Sequence, residues 1–338
     1  RGFTSVRQKL KRLKHWTVTY EAADEAASLC WNNSALRACA LEHMTRECPD
    51  DLNKLLYVVE ESEQFAFFVL CVQTYLFRYV NGARLAQVPK DNRINRAINV
   101  EPTFNMLLQR QLSAYLRNKL EWFGNDLETG QAKHRSRLAD PSISTIDFSS
   151  ASDSHILAAF EAMFPSWLVS KIKAVRSSMT KLPDGREVYN YKLSSMGNGF
   201  TFEVMTWLLL SLARVLDANA SVYGDDVIIC NSQAHEFICA AESLGWVVNH
   251  DKTFIKSRFR ESCGGFYHDT YGYIVSYDFW HCKTVTDVVT TINKLRHILT
   301  KLDCPRLHKL WVDLVALCPA WLKGPALEHG ASYNVNSR

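Results

Sequence analysis

The stretch SVYGDDVIIC, residues 221–230, constrains the fold more than any other part of the chain. Its flanks, SVY and DVIIC, read as strands, and Gly224-Asp225 fits the two central positions of a tight hairpin turn, where glycine takes the positive φ. The turn sets two carboxylates, Asp225 and Asp226, at one edge of a sheet. Aspartate is a common turn residue, so either the turn tolerates acids at a surface or the carboxylates hold something positive. A second acidic strand end bears on the choice: ISTIDF, residues 143–148, closes on Asp147. With the two elements side by side, Asp147 and Asp225 face one spot. Carboxylates that close repel and raise each other's pKa. A divalent cation removes that conflict, and carboxylate oxygens select hard ions such as Mg²⁺ or Mn²⁺. Two such ions roughly 3.5–4 Å apart activate an attacking oxygen and stabilise a leaving one.

Other classes are excluded by composition. The chain has 338 residues, 47% apolar and 22% charged, with a net charge of only +4; this is an ordinary globular balance and not a polycation. The basic charge is uneven, with Arg1, Arg7, Lys9, Lys11, Arg12 and Lys14 ahead of the first acid. Ten scattered cysteines include no CxxC, so neither a zinc ribbon nor a thioredoxin-type site is signalled. The apolar runs 65–77 and 204–216 fall short of the roughly 18–20 residues of a membrane span. A chain that begins without Met inside a basic segment is expected to be a piece or processed product of a longer one.

Periodicity predicts a mostly helical 1–80, a basic strand-like segment 81–102 closed by Pro102, and a helix over 103–123. A polar loop 124–142, the strand 143–148 and a helix over 152–164 follow. KLPDGREVYNYKL (181–193) reads as a hairpin turning at Pro183-Asp184-Gly185. SSMGNG (194–199) reads as a glycine loop before a helix over 200–216. Beyond the opening hairpin come a helix over 234–244, the strand WVVN, short strands within 259–280, helices over 284–322 and a loose tail.

The ordered set VPKDNRINRAINVEP, STIDFSSASDS, LPDGREV, SSMGNGFTFE, VYGDD, DKTF and FRESCGG resembles the palm region of viral RNA-dependent RNA polymerases. It is most similar to the replicase catalytic subunit of single-stranded RNA bacteriophages, the levivirus type. The resemblance implies an α+β right-hand fold with an antiparallel palm sheet carrying the YGDD hairpin. Fingers would span 1–142, with a triphosphate-facing segment at 86–102. The palm would span 143–283 with a fingers hairpin insertion at about 176–193, and a truncated thumb 284–338. It implies template-directed RNA synthesis with two Mg²⁺ ions, Mn²⁺ being the substitute, on RNA template and NTPs, in the cytoplasm of an infected bacterium. Host elongation factors Tu and Ts and a small-subunit ribosomal protein are the partners it implies; no membrane is involved.

The same resemblance assigns roles. Asp147 and Asp225 would be metal ligands, with Asp226 more peripheral and the Phe148 carbonyl an added ligand. Lys252 would be the general acid for pyrophosphate. Lys90, Arg93 and Arg96 would face the triphosphate. Asp153 would lie near the ribose, although its interval from Asp147 is six residues where many related polymerases have five. Ser195 and Asn198 would supply hydrogen bonds to the nucleotide. Gly197, Gly199 and Thr201 would hold the template, Gly197 and Gly199 by letting backbone approach nucleic acid closely. Met205 stands where many polymerases carry an Asn. Arg260 and Glu261 would grip the primer end. Two rivals stay open. One is a reverse transcriptase-like polymerase, against which the small, polar SSASDS speaks. The other is a catalytically inactive RNA-binding protein on a palm fold.

Overall fold

A parallel pair of three-residue strands, β1 (Trp16–Val18) and β2 (Phe77–Tyr79), brackets the helical N-terminal part. Between them run α1 (Ala23–Asn32), α2 (Ser34–Glu47), α3 (Pro49–Tyr57) and α4 (Glu61–Cys71), the last continued by a π-helical turn, Val72–Leu76. Alanine spacing foretells the helices; strands this short leave no period-two signal and are not foreseen from sequence. The computed structural model describes residues 10–13, 15–89, 95–154, 157–274, 282, 284–300 and 302–319. Lys90, Arg93, the basic residues Arg1, Arg7, Lys9 and Lys14, and the expected tail lie outside them.

The basic segment read as strand-like is an antiparallel ribbon of two strands, β3 (Gly82–Pro89) and β4 (Asn95–Val100). Next comes α5 (Thr103–Trp122), whose buried Phe104, Leu107, Leu108, Leu112, Leu116 and Leu120 recur at helical spacing. The buried polar residues of α5 are tied to neighbours: Asn105 Oδ1 accepts the Thr19 N–H at 2.9 Å, and its Nδ2 donates to Thr19 Oγ1 at 2.8 Å. The expected loop 124–142 instead contains α6 (Gly130–Arg137). This helix is polar in sequence, and its one ring in the core belongs to His134, so apolar periodicity could not reveal it.

Strand β5 (Ile143–Ile146) leads to Asp147. The expected helix over 152–164 is split into a 3-10 turn, Ala151–Asp153, and α7 (Leu157–Met163). Ser150, at φ 52°, breaks the approach. Helix α8 (Ser166–Val175) and the strands β6 (Met179–Lys181) and β7 (Glu187–Tyr189) follow. Strand β6 pairs with β3, giving a four-stranded sheet in the order β4-β3-β6-β7. Then come α9 (Thr201–Leu216), β8 (Ser221–Tyr223), β9 (Asp226–Cys230) and α10 (Ala234–Ser243). Strands β5, β9 and β8 make an antiparallel sheet with β9 central. Val227, Ile228 and Ile229 are fully buried, which explains an unbroken apolar run instead of an alternating one.

WVVN is not a strand. Val248 makes one isolated bridge to Phe148, and the chain then turns through a 3-10 segment, His250–Lys252. A three-stranded meander, β10 (Phe259–Ser262), β11 (Gly265–His268) and β12 (Gly272–Ile274), precedes α11 (Val285–Leu299) and α12 (Pro305–Leu317). One continuous core runs from Leu10 to Val248, while Val289, Ile292 and Cys318 form a separate small cluster between the last two helices. Among the described residues no helix is long and apolar enough to cross a membrane.

Candidate active site

The hairpin turn is the two-residue Gly224-Asp225, between the paired Tyr223 and Asp226. Gly224 takes φ 66°, and a Cβ there would lie 2.5 Å from Phe202 Cε2. Its N–H donates to Thr206 Oγ1 on α9 at 3.0 Å, which fastens the turn to that helix. The free edge of β8 is closed by one side chain. Asn125 Nδ2 donates to the Val222 carbonyl (2.8 Å), and the Val222 N–H donates back to Asn125 Oδ1 (3.1 Å). Thr206 and Asn125 carry no motif; only contact in space reveals them.

Asp147 comes to this turn through register. Ile146 pairs with Val227, so the next residue, Asp147, lies beside the start of β9. The Asn249 N–H donates to the Asp147 carbonyl (2.9 Å), and Asn249 Nδ2 donates to Asp147 Oδ2 (2.7 Å). Phe148 anchors the same stretch, its ring buried against Trp246 and Phe237. Asn249 is thus a positioning residue that sequence reasoning missed; a polar residue ending an apolar run was its only signal.

The electrostatics confirm proximity. Burial first, then the Asp147 charge, raises the Asp225 pKa, against Lys252 and Arg96, which lower it. Burial pushes Asp226 up to about 7, opposed by a hydrogen bond from the Cys263 N–H and aided by Asp225, Glu261 and Asp147. Glu261 is raised by burial and lowered by Lys252. The structure therefore gathers Asp147, Asp225, Asp226, Glu261, Lys252 and Arg96. Glu261 joins as a fourth carboxylate, and Asp226 is turned toward the β10–β11 turn.

Among the described residues no three His, Cys, Asp or Glu side chains already form a cage for a metal ion. That is the arrangement Mg²⁺ tolerates, since it is commonly held by one or two carboxylates with substrate phosphates completing the shell. Hard oxygen donors such as Asp225 and Asp226, raised in pKa by burial first and by neighbouring carboxylates second, fit such an ion.

Other expected site residues lie elsewhere or are already engaged. Asp153 is ion-paired with Lys192. Arg260 is 1% exposed, donates to the Leu138 and Ser257 carbonyls (2.6 and 2.8 Å), pairs with Asp269 and packs over Tyr267, so its guanidinium is engaged within the chain. In the 194–199 loop Ser194 and Ser195 are buried, Met196, Asn198 and Gly199 are half-buried and Gly197 is exposed. Asn198 Oδ1 accepts the Ser195 N–H (2.5 Å), its Nδ2 donates to Glu101 (2.9 Å), and Thr201 Oγ1 donates to the Ser195 carbonyl (2.7 Å). Gly197 has φ 104°, and a Cβ there would sit 2.1 Å from the Asn99 carbonyl oxygen, so the glycine permits this close backbone approach. The Gly199 N–H donates to Gln109 (2.8 Å). Buried Glu101, which also accepts from Ser177 and Gln109, is the hub of this loop.

The sequence profile of the family described as RNA replicase, beta-chain, matches residues 35–337. The chain belongs to this family. The RNA-directed RNA polymerase beta chain of Escherichia phage MS2 is 34% identical over 266 residues, covering 75% of this chain and 48% of the relative. The RNA-directed RNA polymerase subunit beta of Escherichia virus Qbeta is 32% identical over 256 residues, covering 72% and 43%. The chain thus spans about half the length of the curated relatives it matches. A crystal structure of the RNA-dependent RNA polymerase of a human picobirnavirus, an insertion-loop deletion mutant, aligns with a TM-score of 0.45 at 12% identity, over 93% of this chain and 74% of that one.

Proposed function

We propose that this chain carries the catalytic centre of a template-directed RNA polymerase that copies a phage RNA genome. The observation that supports it is the convergence of Asp147 and Asp225 at adjoining ends of β5 and the β8–β9 turn, with the charges of Lys252 and Arg96 acting on the same spot. In this reading the fold is a right hand: fingers 1–142, palm 143–283 with β6–β7 inserted from the fingers, and thumb from 284. Asp147 and Asp225, with the Phe148 carbonyl, would hold divalent cations. When bound, two Mg²⁺ or Mn²⁺ ions supply activation of the attacking oxygen and neutralisation of phosphate charge.

The remaining work falls to the chain. Asn249 fixes the Asp147 carboxylate, and the Gly224 turn fixes Asp225, so the site is organised before substrate arrives. The 3′-oxygen of the growing RNA bonds to the α-phosphorus, its proton leaves, and the bond to pyrophosphate breaks. Arg96 neutralises triphosphate charge, and Lys252 Nζ gives a proton to the departing pyrophosphate oxygen. Asp226, which accepts the Cys263 N–H, would be the more peripheral of the metal-binding carboxylates. Positioning and charge stabilisation supply most of the acceleration. The relatives are called beta chains, which points to further subunits; the host translation proteins implied by the resemblance are the candidates, in an infected bacterium. The test is side-by-side incorporation of NTPs and dNTPs by the complete protein on an RNA template. RNA synthesis from NTPs alone is expected, whereas preferred use of dNTPs would assign a reverse transcriptase.

A further inference from the structure

The face of the β4-β3-β6-β7 sheet carries a row of side chains with no part in the catalytic step. Val100 pairs with Arg84, Arg84 with Lys181, and Lys181 with Glu187, so all four lie side by side on one face. A cavity of about 530 Å³ opens over this row, lined also by Tyr79, Asn81 and Thr17. That volume suits a nucleotide-sized ligand.

The charges in this cavity are unequal. Arg84 and Lys181 are exposed and have no ion-pair partner among the described residues. Glu187, the one acid in the row, is engaged by Asn81, whose Nδ2 donates to both its oxygens at 3.3 and 3.0 Å. Glu101 also lines the cavity, but its carboxylate accepts from Ser177, Gln109 and Asn198. Two neighbouring cations that form no ion pair with any described residue match a phosphate, which an arginine fork grips with two hydrogen bonds. At the cavity wall Tyr79 stacks on Tyr20, with ring centroids 4.7 Å apart, and offers an aromatic surface beside the cations. Cations joined to aromatic rings are how proteins hold single-stranded nucleic acid without reading its sequence.

Register also gives direction. Val88 pairs with Arg96, and Arg84 with Val100, so Arg96 and Arg84 share one face of the ribbon. They stand four residues apart along it, about 13 Å at ~3.3 Å per residue. Arg96 acts on Asp225, so a track with a cation at each end, Arg96 and Arg84, and the Ala86–Ile98 pair between them leads from the candidate catalytic carboxylates to the cavity. We propose that the cavity is a second RNA-binding subsite, which holds a ribonucleotide phosphate between Arg84 and Lys181 with its base beside Tyr79. The track favours a phosphate within an RNA strand over one on a free nucleotide.

Binding tests this without synthesis or divalent cation, so its outcome is separate from that of the polymerase reading. The full chain is titrated with a fluorescein-labelled single-stranded RNA 10-mer in EDTA over a salt series. R84A/K181A is expected to weaken binding at least tenfold at low salt. It should also flatten the slope of log affinity against log salt by about 0.7, at ~0.7 for the one phosphate no longer neutralised. The control K171A/K173A removes two charges that are ion-paired with Glu25 and Glu161 on another face, and should leave affinity and slope within twofold of the parent. Competition with AMP separates the sources: displacement only by RNA assigns a strand, and displacement by sub-millimolar AMP assigns a free nucleotide. Unchanged binding in R84A/K181A, or an equal loss in the control, overturns the proposal.

Discussion

Asn249 holds Asp147 at two points, through its own N–H to the Asp147 carbonyl and through Nδ2 to Oδ2. A carboxylate meant to receive an ion gains from such a clamp, because both its backbone and one of its oxygens are fixed in place. Removing an outer partner of a metal ligand typically lowers affinity or activity about 10- to 100-fold. Asn249→Ala should therefore lower the incorporation rate of the complete protein within that range and raise the Mg²⁺ concentration needed for half-maximal rate, with RNA affinity unchanged. Steady-state incorporation across a Mg²⁺ series checks it. An Asn249→Ala variant with the parental Mg²⁺ dependence would remove Asn249 from this role.

The hairpin turn depends on one hydroxyl. Thr206→Val keeps the shape of the side chain but leaves the buried Gly224 N–H without its acceptor. An unsatisfied buried donor costs about 1–3 kcal/mol. Denaturant unfolding should show a loss in that range. Gly224→Ala should do more damage, because it adds both a Cβ clash with Phe202 and an unfavourable φ.

His134 supplies a pH test of stability. It is buried, its Nδ1 lies 2.9 Å from Ser262 Oγ, and burial followed by the Arg137 charge lowers its pKa to about 3. The folded state thus keeps it neutral where the unfolded chain takes up a proton. The stability this group contributes is complete above about pH 6.5 and is lost as pH falls toward 3. At pH 5 the loss is about 2 kcal/mol, at ~1.36 kcal/mol per unit. His134→Gln should remove this component, so chemical denaturation at pH 7 and pH 5 should differ less in the variant than in the parent by about that amount.

Arg260 separates a structural role from an RNA-binding one. Its buried guanidinium ties β10 to Leu138, Ser257 and Asp269. Arg260→Ala leaves the Leu138 and Ser257 carbonyls without their donor, and an unsatisfied buried acceptor costs about 1–3 kcal/mol. A variant of parental stability with weakened RNA binding would return Arg260 to the primer end.

The sequence made the hairpin legible because the turn chemistry of Gly224-Asp225 and the apolar run of β9 are local signals. Asp147 was legible for the same reason, as a charge closing a β-branched strand. What decides the rest is contact between distant segments. Nothing near Asn249 or Thr206 announces a partner about a hundred or about twenty residues away. The SSMGNG glycines look like a nucleic-acid loop in sequence, yet Gly197 is required by the Asn99 carbonyl and Asn198 by Glu101. Arg260 sits in a turn motif that reads as exposed, and only the packing of β10 beneath Leu138 buries it. The cation pair of Arg84 and Lys181 arises because β6 joins β3 in parallel, a pairing that separates its partners by nearly a hundred residues.

The most direct measurement is Mg²⁺-dependent incorporation of labelled ribonucleotide by the complete protein carrying Asp225→Asn, beside Asp226→Asn and the parent. Asp225→Asn should abolish incorporation while RNA binding stays within twofold. Asp226→Asn, which keeps an acceptor for the Cys263 N–H, should retain measurable activity. Parental activity in Asp225→Asn would contradict the assignment of this turn as the catalytic centre.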